Sequence, residues 1–247
     1  MTEDQPFSGR VALVTGASGG IGRAIAEALA AEGATVGLHY SSSPDPVHRL
    51  AERIAARGGR SAVFGADLGD PEAPARLADR VMAELGPIEL LVNNAGVGRR
   101  LTWEQTTVEH FDEAYAVNLR APFLLTQRVL PTMLERGFGR VLFMSSVAGL
   151  TGGIVGPHYA SAKSGLHGLT HFLAAQLAAS RVTVNALAPA LIADTGMLPG
   201  DPEEIVARIP IGRLGTPQEV ADLTLAVLGN AYITNQVISI DGGMYPG

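Results

Sequence analysis

The chain has 247 residues, of which 47% are hydrophobic and 17% charged, a balance that excludes a disordered chain and allows a large core. Its formal net charge of −6 argues against nucleic acid or an anionic membrane surface as a bulk electrostatic partner. With no cysteine, disulfides and thiolate metal sites are excluded, and a cytoplasmic protein is expected. The opening M-T-E-D-Q-P-F-S-G-R has no apolar signal core, and no apolar run is long enough to cross a bilayer.

Short apolar runs alternate with helical patterns, the rhythm of a parallel sheet covered on both faces. Val11–Thr15 reads as the first strand, followed by a helix over Gly20–Glu32 that Gly33 stops. Thr35–Tyr40 is the second strand and leads into a Ser/Pro loop, Ser41–Pro46. Ser61–Gly65 and Ile88–Asn93 are the third and fourth, and a long helix is predicted from about Thr107 to Glu135. Val141–Met144 is a buried strand ending in Ser145 and Ser146, and a helix starts near His158 after a Gly-rich bend. Arg181–Ala188 and Val237–Ile240 complete seven strands. No repeat, low-complexity tract or linker divides the chain, so residues 1–247 are expected to form a single doubly wound α/β domain of Rossmann type.

Thr15-Gly16-Ala17-Ser18-Gly19-Gly20-Ile21-Gly22 lies between the first strand and the first helix. Glycines there permit a tight turn and let the backbone approach a pyrophosphate, which the helix N-terminus attracts. Dinucleotide binding is the expected use of that position.

Tyr159 and Lys163 are four residues apart, on one helical face. A phenol ionises near pH ~10, too high for a base at neutral pH, and a nearby ammonium lowers that value. Ser146 can return across the bend to hold a substrate oxygen. Alone, this pattern reads as a buried tyrosine and a solvated lysine; the remaining motifs reverse that reading.

T-G-A-S-G-G-I-G at 15–22, N-N-A-G at 93–96, Asn118, Ser146 and Y-A-S-A-K at 159–163 together resemble the short-chain dehydrogenase/reductase family, from about Arg10 to Gly243. G-R-L-G-T-P-Q-E-V at 212–220 and I-S-I-D-G-G-M-Y at 238–245 are most similar to 3-oxoacyl-acyl-carrier-protein reductases and their look-alikes. The resemblance implies a NAD(P)H-dependent reductase in which Tyr159 protonates a carbonyl oxygen. It implies that Lys163 lowers the tyrosine pKa and holds the nicotinamide ribose, Ser146 bonds the substrate oxygen, and Asn118 holds a water linking Lys163 to solvent. Gly16, Ser18, Gly19, Gly20, Ile21 and Gly22 would hold the pyrophosphate. Asp67 and Leu68 would flank the adenine, Asn93, Ala95 and Gly96 the ribose, and Pro189 to Ile192 the nicotinamide.

No acid follows the second strand before Asp45, and Ser41, Ser42 and Ser43 can donate hydrogen bonds to a 2′-phosphate, so NADP(H) is expected over NAD(H). Gly19 stands where the family's NADP members often carry a basic residue, and argues the other way. Residues 191–210, broken by Gly and Pro, are expected to form a substrate lid.

The leading substrate expectation is a 3-oxoacyl thioester on an acyl carrier protein. The resemblance implies a basic surface to meet that carrier, which is diluted here, with Arg136, Arg140 and Arg181 present but Gly137 and Ser180 at places where basic residues are expected. The alternatives are another small ketone or secondary alcohol, and a non-catalytic cofactor-sensing binding protein. Ala160, Ser164, His167, His171, Ala174 and Ala178 form a stripe suited to a partner helix, and the resemblance implies homodimers or homotetramers. His167 and His171 are read as interface or solvent residues, with no metal.

Overall fold

A computed structural model describes residues 5–195, 206–207 and 209–245. Its centre is a parallel sheet of seven strands: β1 Val11–Val14, β2 Thr35–Tyr40, β3 Arg60–Gly65, β4 Ile88–Asn93, β5 Gly139–Met144, β6 Val182–Pro189 and β7 Val237–Ile240. The spatial order is β3-β2-β1-β4-β5-β6-β7, so the order reverses between β1 and β4. In a doubly wound sheet that switch point opens a crevice at the strands' carboxyl ends. The expected Rossmann architecture is the observed one.

Helices cover both faces because each carries an apolar stripe that only the sheet can bury. On one side lie α1 Gly20–Ala31, α2 Pro44–Ala56 and, near the C-terminus, α8 Pro217–Gly229. On the other lie α3 Ala73–Leu85, α5 Ala121–Arg136 and α7 Pro157–Leu177. In chain order α4 Val108–Tyr115 precedes α5, and the single turn α6 Ala148–Thr151 precedes α7. No described helix is long and apolar enough to cross a membrane.

Two segments depart from the sequence reading. The Ser/Pro loop is shorter than expected, because α2 begins at Pro44. Proline is tolerated in a first turn, Asp45 suits the helix dipole there, and Val47, Leu50 and Ile54 are buried beneath. Burial of three such side chains, about 1.5–3 kcal/mol each, outweighs the local turn signals. The long helix is interrupted: α4 passes through a π-helical turn, Ala116–Arg120, before α5 begins. A wider turn re-aims one side chain, and here it carries Asn118 into the interior, where it is fully buried.

Arg140 corrects the expected carrier-facing patch. It is the second residue of β5, at the opposite end of the strand from the crevice, and is buried with its guanidinium on the main-chain oxygens of Leu228, Gly139 and Arg181. Arg136 is held by the carboxylate of Glu89.

Candidate active site

The loops after β1 and β4 interlock. Thr15 Oγ1 accepts the N–H groups of Asn94 and Ala95, both at 2.9 Å, and Asn94 Nδ2 donates to Thr15 O at 2.8 Å. Gly16 has φ +67°, and a Cβ there would lie 2.9 Å from Ala95 Cα. At Gly22 a Cβ would collide with the Gly16 oxygen and come within 2.6 Å of Asn94 Nδ2. Only bare α-carbons let this turn close over the first turn of α1. That helix has no side-chain cap at Gly19, so its leading N–H groups are open to an anion.

His39, at the end of β2, holds the same turn from below. Its Nδ1 accepts Gly16 N–H at 3.1 Å, and Nε2 lies 3.0 Å from Ala66 O after β3. These partners fix a neutral ring carrying its proton on Nε2, and burial lowers the histidine pKa accordingly. Sequence reading passed over His39; an imidazole at a strand end offers no signal until its two partners are known.

Beyond β5, Ser145 and Ser146 diverge. Ser145 turns inward, donating to Lys163 O at 3.0 Å and sitting 2.7 Å from His167 Nε2. Ser146 faces the crevice, where its Oγ accepts Ala148 N–H at 3.2 Å. Tyr159 and Lys163 lie on the sheet-facing stripe of α7 with Leu166 and Thr170, and are 6% and 4% exposed. Lys163 Nζ donates to Met144 O at 2.7 Å and lies 5.6 Å from the Tyr159 ring centroid.

Burial drops the lysine pKa to about 8. It pushes the tyrosine up, against the expectation of a lowered phenol; the Ser146 hydroxyl pulls the other way. The ammonium is directed at the Met144 carbonyl, so desolvation dominates at the ring.

Asn118 uses both ends of its amide on Val97, accepting its N–H and donating to its O, each at 2.8 Å. A Cβ on Gly96 would lie 3.0 Å from Asn118 Oδ1 and 3.3 Å from Lys163 Nζ, so that bare carbon sits between the two.

These groups frame one cleft of about 470 Å³. Its near wall holds Gly16, Ser18, Gly19, Gly20, Ile21 and Gly22, and its far wall Ser146, Tyr159, Lys163, Pro189 and Ile192. An adjoining cleft of about 580 Å³ is lined by Ser41, Asp67 and Leu68, and Ala95 and Gly96 face both. Asp67 does not cap α3: its Oδ1 accepts Gly69 N–H at 2.9 Å on the cleft edge.

Asn93 falls outside both walls. It is buried in β4 with its Oδ1 unpartnered, and the next residue, Asn94, lines the cleft instead, because alternate strand residues face opposite ways. Sequence reading also missed Arg100, Met244 and Tyr245 as lining residues. The Asp241 carboxylate accepts the N–H groups of Gly243 and Tyr245, which turns the chain end back toward the crevice.

Much of the expected lid, 196–205 and 208, lies outside the described residues. At its start, Ala193 N–H bonds to Gly215 O at 2.9 Å, and the Asp194 oxygen occupies the space a Cβ on Gly20 would need. His171 is bonded to Asn235 at 2.7 Å.

Two connected clefts at a switch point, a glycine turn without a cap, and a Ser–Tyr–Lys group on the far wall define a dinucleotide-dependent oxidoreductase site. A family model described as short chain dehydrogenase matches residues 10–205, and the chain belongs to that family. It is 37% identical to nodulation protein G of Azospirillum brasilense, over 96% of this chain and 99% of the other. It is 38% identical to a 3-oxoacyl-acyl-carrier-protein reductase of Aquifex aeolicus, over 97% and 98%. A crystal structure from Beutenbergia cavernae, provisionally assigned as an NAD(P)-dependent gluconate 5-dehydrogenase and holding NADP at low occupancy, superposes with TM-score 0.90 at 37% identity, covering 98% and 99%.

Proposed function

We propose that the protein is an NADP(H)-preferring reductase of a small carbonyl compound. The observation that carries this reading is the placement of Ser146, Tyr159 and Lys163 on one wall of the cleft whose other wall is the glycine turn. The residues fit a dinucleotide: the bare α-carbons of Gly16 and Gly22 let the turn close at the uncapped N-terminus of α1, and the two clefts adjoin at Ala95 and Gly96. A nicotinamide dinucleotide, when bound, supplies or accepts the hydride.

The chain's own groups do the rest. Ser146 donates a hydrogen bond to the carbonyl oxygen, and Tyr159 gives that oxygen its proton, or takes it back from an alcohol. The neutral phenol that burial favours is the form ready to donate. Lys163 lies where its charge stabilises the phenolate left behind, and Asn118 fixes the Val97 backbone at the Lys163 side of the cleft. Ser41 on the second cleft, with no carboxylate ahead of Asp45, supports the choice of NADP(H).

Two substrate readings remain. The Aquifex relative's name supports a 3-oxoacyl thioester carried on a protein. Burial of Arg140 and pairing of Arg136 with Glu89 remove basic groups such a carrier would meet, and favour a free small ketone or secondary alcohol. A cytoplasmic homodimer or homotetramer completes the proposal: Leu119, Phe123, Gly165 and Leu169 line an open groove between α5 and α7, and Phe172 is 65% exposed. Light scattering tests the assembly.

The test of function is NADPH consumption with acetoacetyl thioesters and a panel of ketones, beside the same assays with NADH. Turnover with a lower KM for NADPH supports the reading; no turnover of any carbonyl, or a lower KM for NADH, contradicts the corresponding part.

A further inference from the structure

The active-site cleft carries two cations, Lys163 and Arg100, and no carboxylate among its described lining residues. Lys163 is buried and committed to Met144 O. Arg100 is different. It is exposed to solvent, lines the cleft, and has no hydrogen-bond or ion-pair partner among the described residues.

An exposed arginine is ordinarily a solvated surface group. Here its backbone is fixed on both sides against the reaction centre. Gly98 packs on the proton donor: a Cβ there would lie 3.0 Å from Tyr159 Cδ2 and 3.2 Å from Val155 Cγ1. Leu101 N–H donates to Val155 O at 2.9 Å. Two residues of chain span at most about 7 Å, so Arg100 is held close beside the tyrosine ring. Val147, Ile154, Val155 and Met244 also line this cleft and cannot compete for a charged group.

We propose that Arg100 receives a carboxylate carried by the substrate, so that the protein interconverts oxo acids and hydroxy acids. A guanidinium presents paired donors that match a carboxylate in a bidentate way, and no carboxylate among the described lining residues competes for it. With the carboxylate held there, the carbonyl a few atoms away falls to Ser146 and Tyr159. A phosphate on a thioester carrier is the same kind of ligand, but it lies at the far end of a long arm from the reacting carbon. The proposal rests on the reductase reading above and narrows its substrate.

The test pairs 3-oxobutanoate, 4-oxopentanoate and 5-oxohexanoate with their methyl esters, using the full chain and NADPH. For at least one pair, kcat/KM for the acid should exceed that for the ester by about 10–100-fold. Arg100→Ala should bring that ratio close to one, and Arg100→Lys should restore part of it. Ratios near one in the wild type, or a ratio unchanged by Arg100→Ala, overturn the proposal. Arg100→Gln serves if the alanine variant does not fold.

Should no carbonyl be reduced at all, the reductase reading fails separately, and calorimetry on the NADP-loaded protein still decides. Tighter binding of 4-oxopentanoate than of its ester, lost in Arg100→Ala, supports the carboxylate site; equal binding overturns it. A preference for acetoacetyl coenzyme A over its phosphate-free thioester analogue that depends on Arg100, without any acid preference, assigns the arginine to a phosphate and also overturns it.

Discussion

Lys163 donates to the main-chain oxygen of Met144 at 2.7 Å while its ammonium stands 5.6 Å from the Tyr159 ring centroid, so one buried cation is anchored to β5 beside the tyrosine one helical turn away. Burial lowers its pKa to about 8, below the unfolded value of about 10.4. Between those values the unfolded chain binds more protons, so this group makes stability rise with pH. The cost of burying its charge is present in full below pH ~8 and relieved as pH climbs. The difference in unfolding free energy between wild type and Lys163→Met should therefore shift toward the wild type by about 2–3 kcal/mol from pH ~8 to pH ~10. Urea titrations across that range measure it, while the same variant should lose turnover about 10²-fold or more.

His39 couples pH to the glycine turn. Its Nδ1 must be unprotonated to accept Gly16 N–H, and burial lowers its pKa. The unfolded chain thus takes up a proton first on acidification, and stability falls as pH drops below about 6.5. Cofactor affinity should weaken in the same direction. Fluorescence titration of NADPH against wild type and His39→Ala should show a wild-type loss on acidification and a pH-insensitive, about tenfold weaker variant, the equivalent of one lost hydrogen bond.

Two glycines of one turn should behave oppositely. A Cβ at Gly22 would meet Gly16 O and Asn94 Nδ2, whereas one at Gly19 meets only Gly16 O at 3.6 Å, an ordinary contact. Gly22→Ala should abolish cofactor binding. Gly19→Arg should fold normally and raise the NADPH-to-NADH ratio of kcat/KM about tenfold through a charge-assisted contact with the 2′-phosphate. Steady-state kinetics with both cofactors checks each.

Thr15 Oγ1 accepts two main-chain N–H groups across the β1–β4 junction, and its side chain is buried. Thr15→Val leaves both donors unsatisfied in a volume-matched side chain. A loss of about 2–5 kcal/mol in unfolding free energy is expected by chemical denaturation.

The strands were legible in the sequence because their apolar runs are short and bounded by turn residues, and six of the seven began within one residue of expectation. Residues 139–140 joined β5 unannounced, since Gly139 and Arg140 carry no strand signal; Met133 packs where a Cβ on Gly139 would sit. The glycine turn was legible through its place between the first strand and helix, and Ser146, Tyr159 and Lys163 through the joint set of motifs and the resemblance they carry; they share one cleft. What spacing could not give is direction. Asn93 was expected at the ribose, but Asn94 faces the cleft, and the inward turn of Asn118 depends on a π-helical register that composition does not encode. Arg100, Met244 and Tyr245 reach the site through loop and tail packing, which no local pattern specifies.

We propose that the Tyr159 hydroxyl donates the proton. Its most direct test is turnover and NADPH binding measured together in Tyr159→Phe, which leaves the buried ring in place. Turnover should fall about 10²–10⁴-fold while cofactor affinity is largely retained. A variant that still reduces the wild type's substrate at a near-normal rate would contradict it.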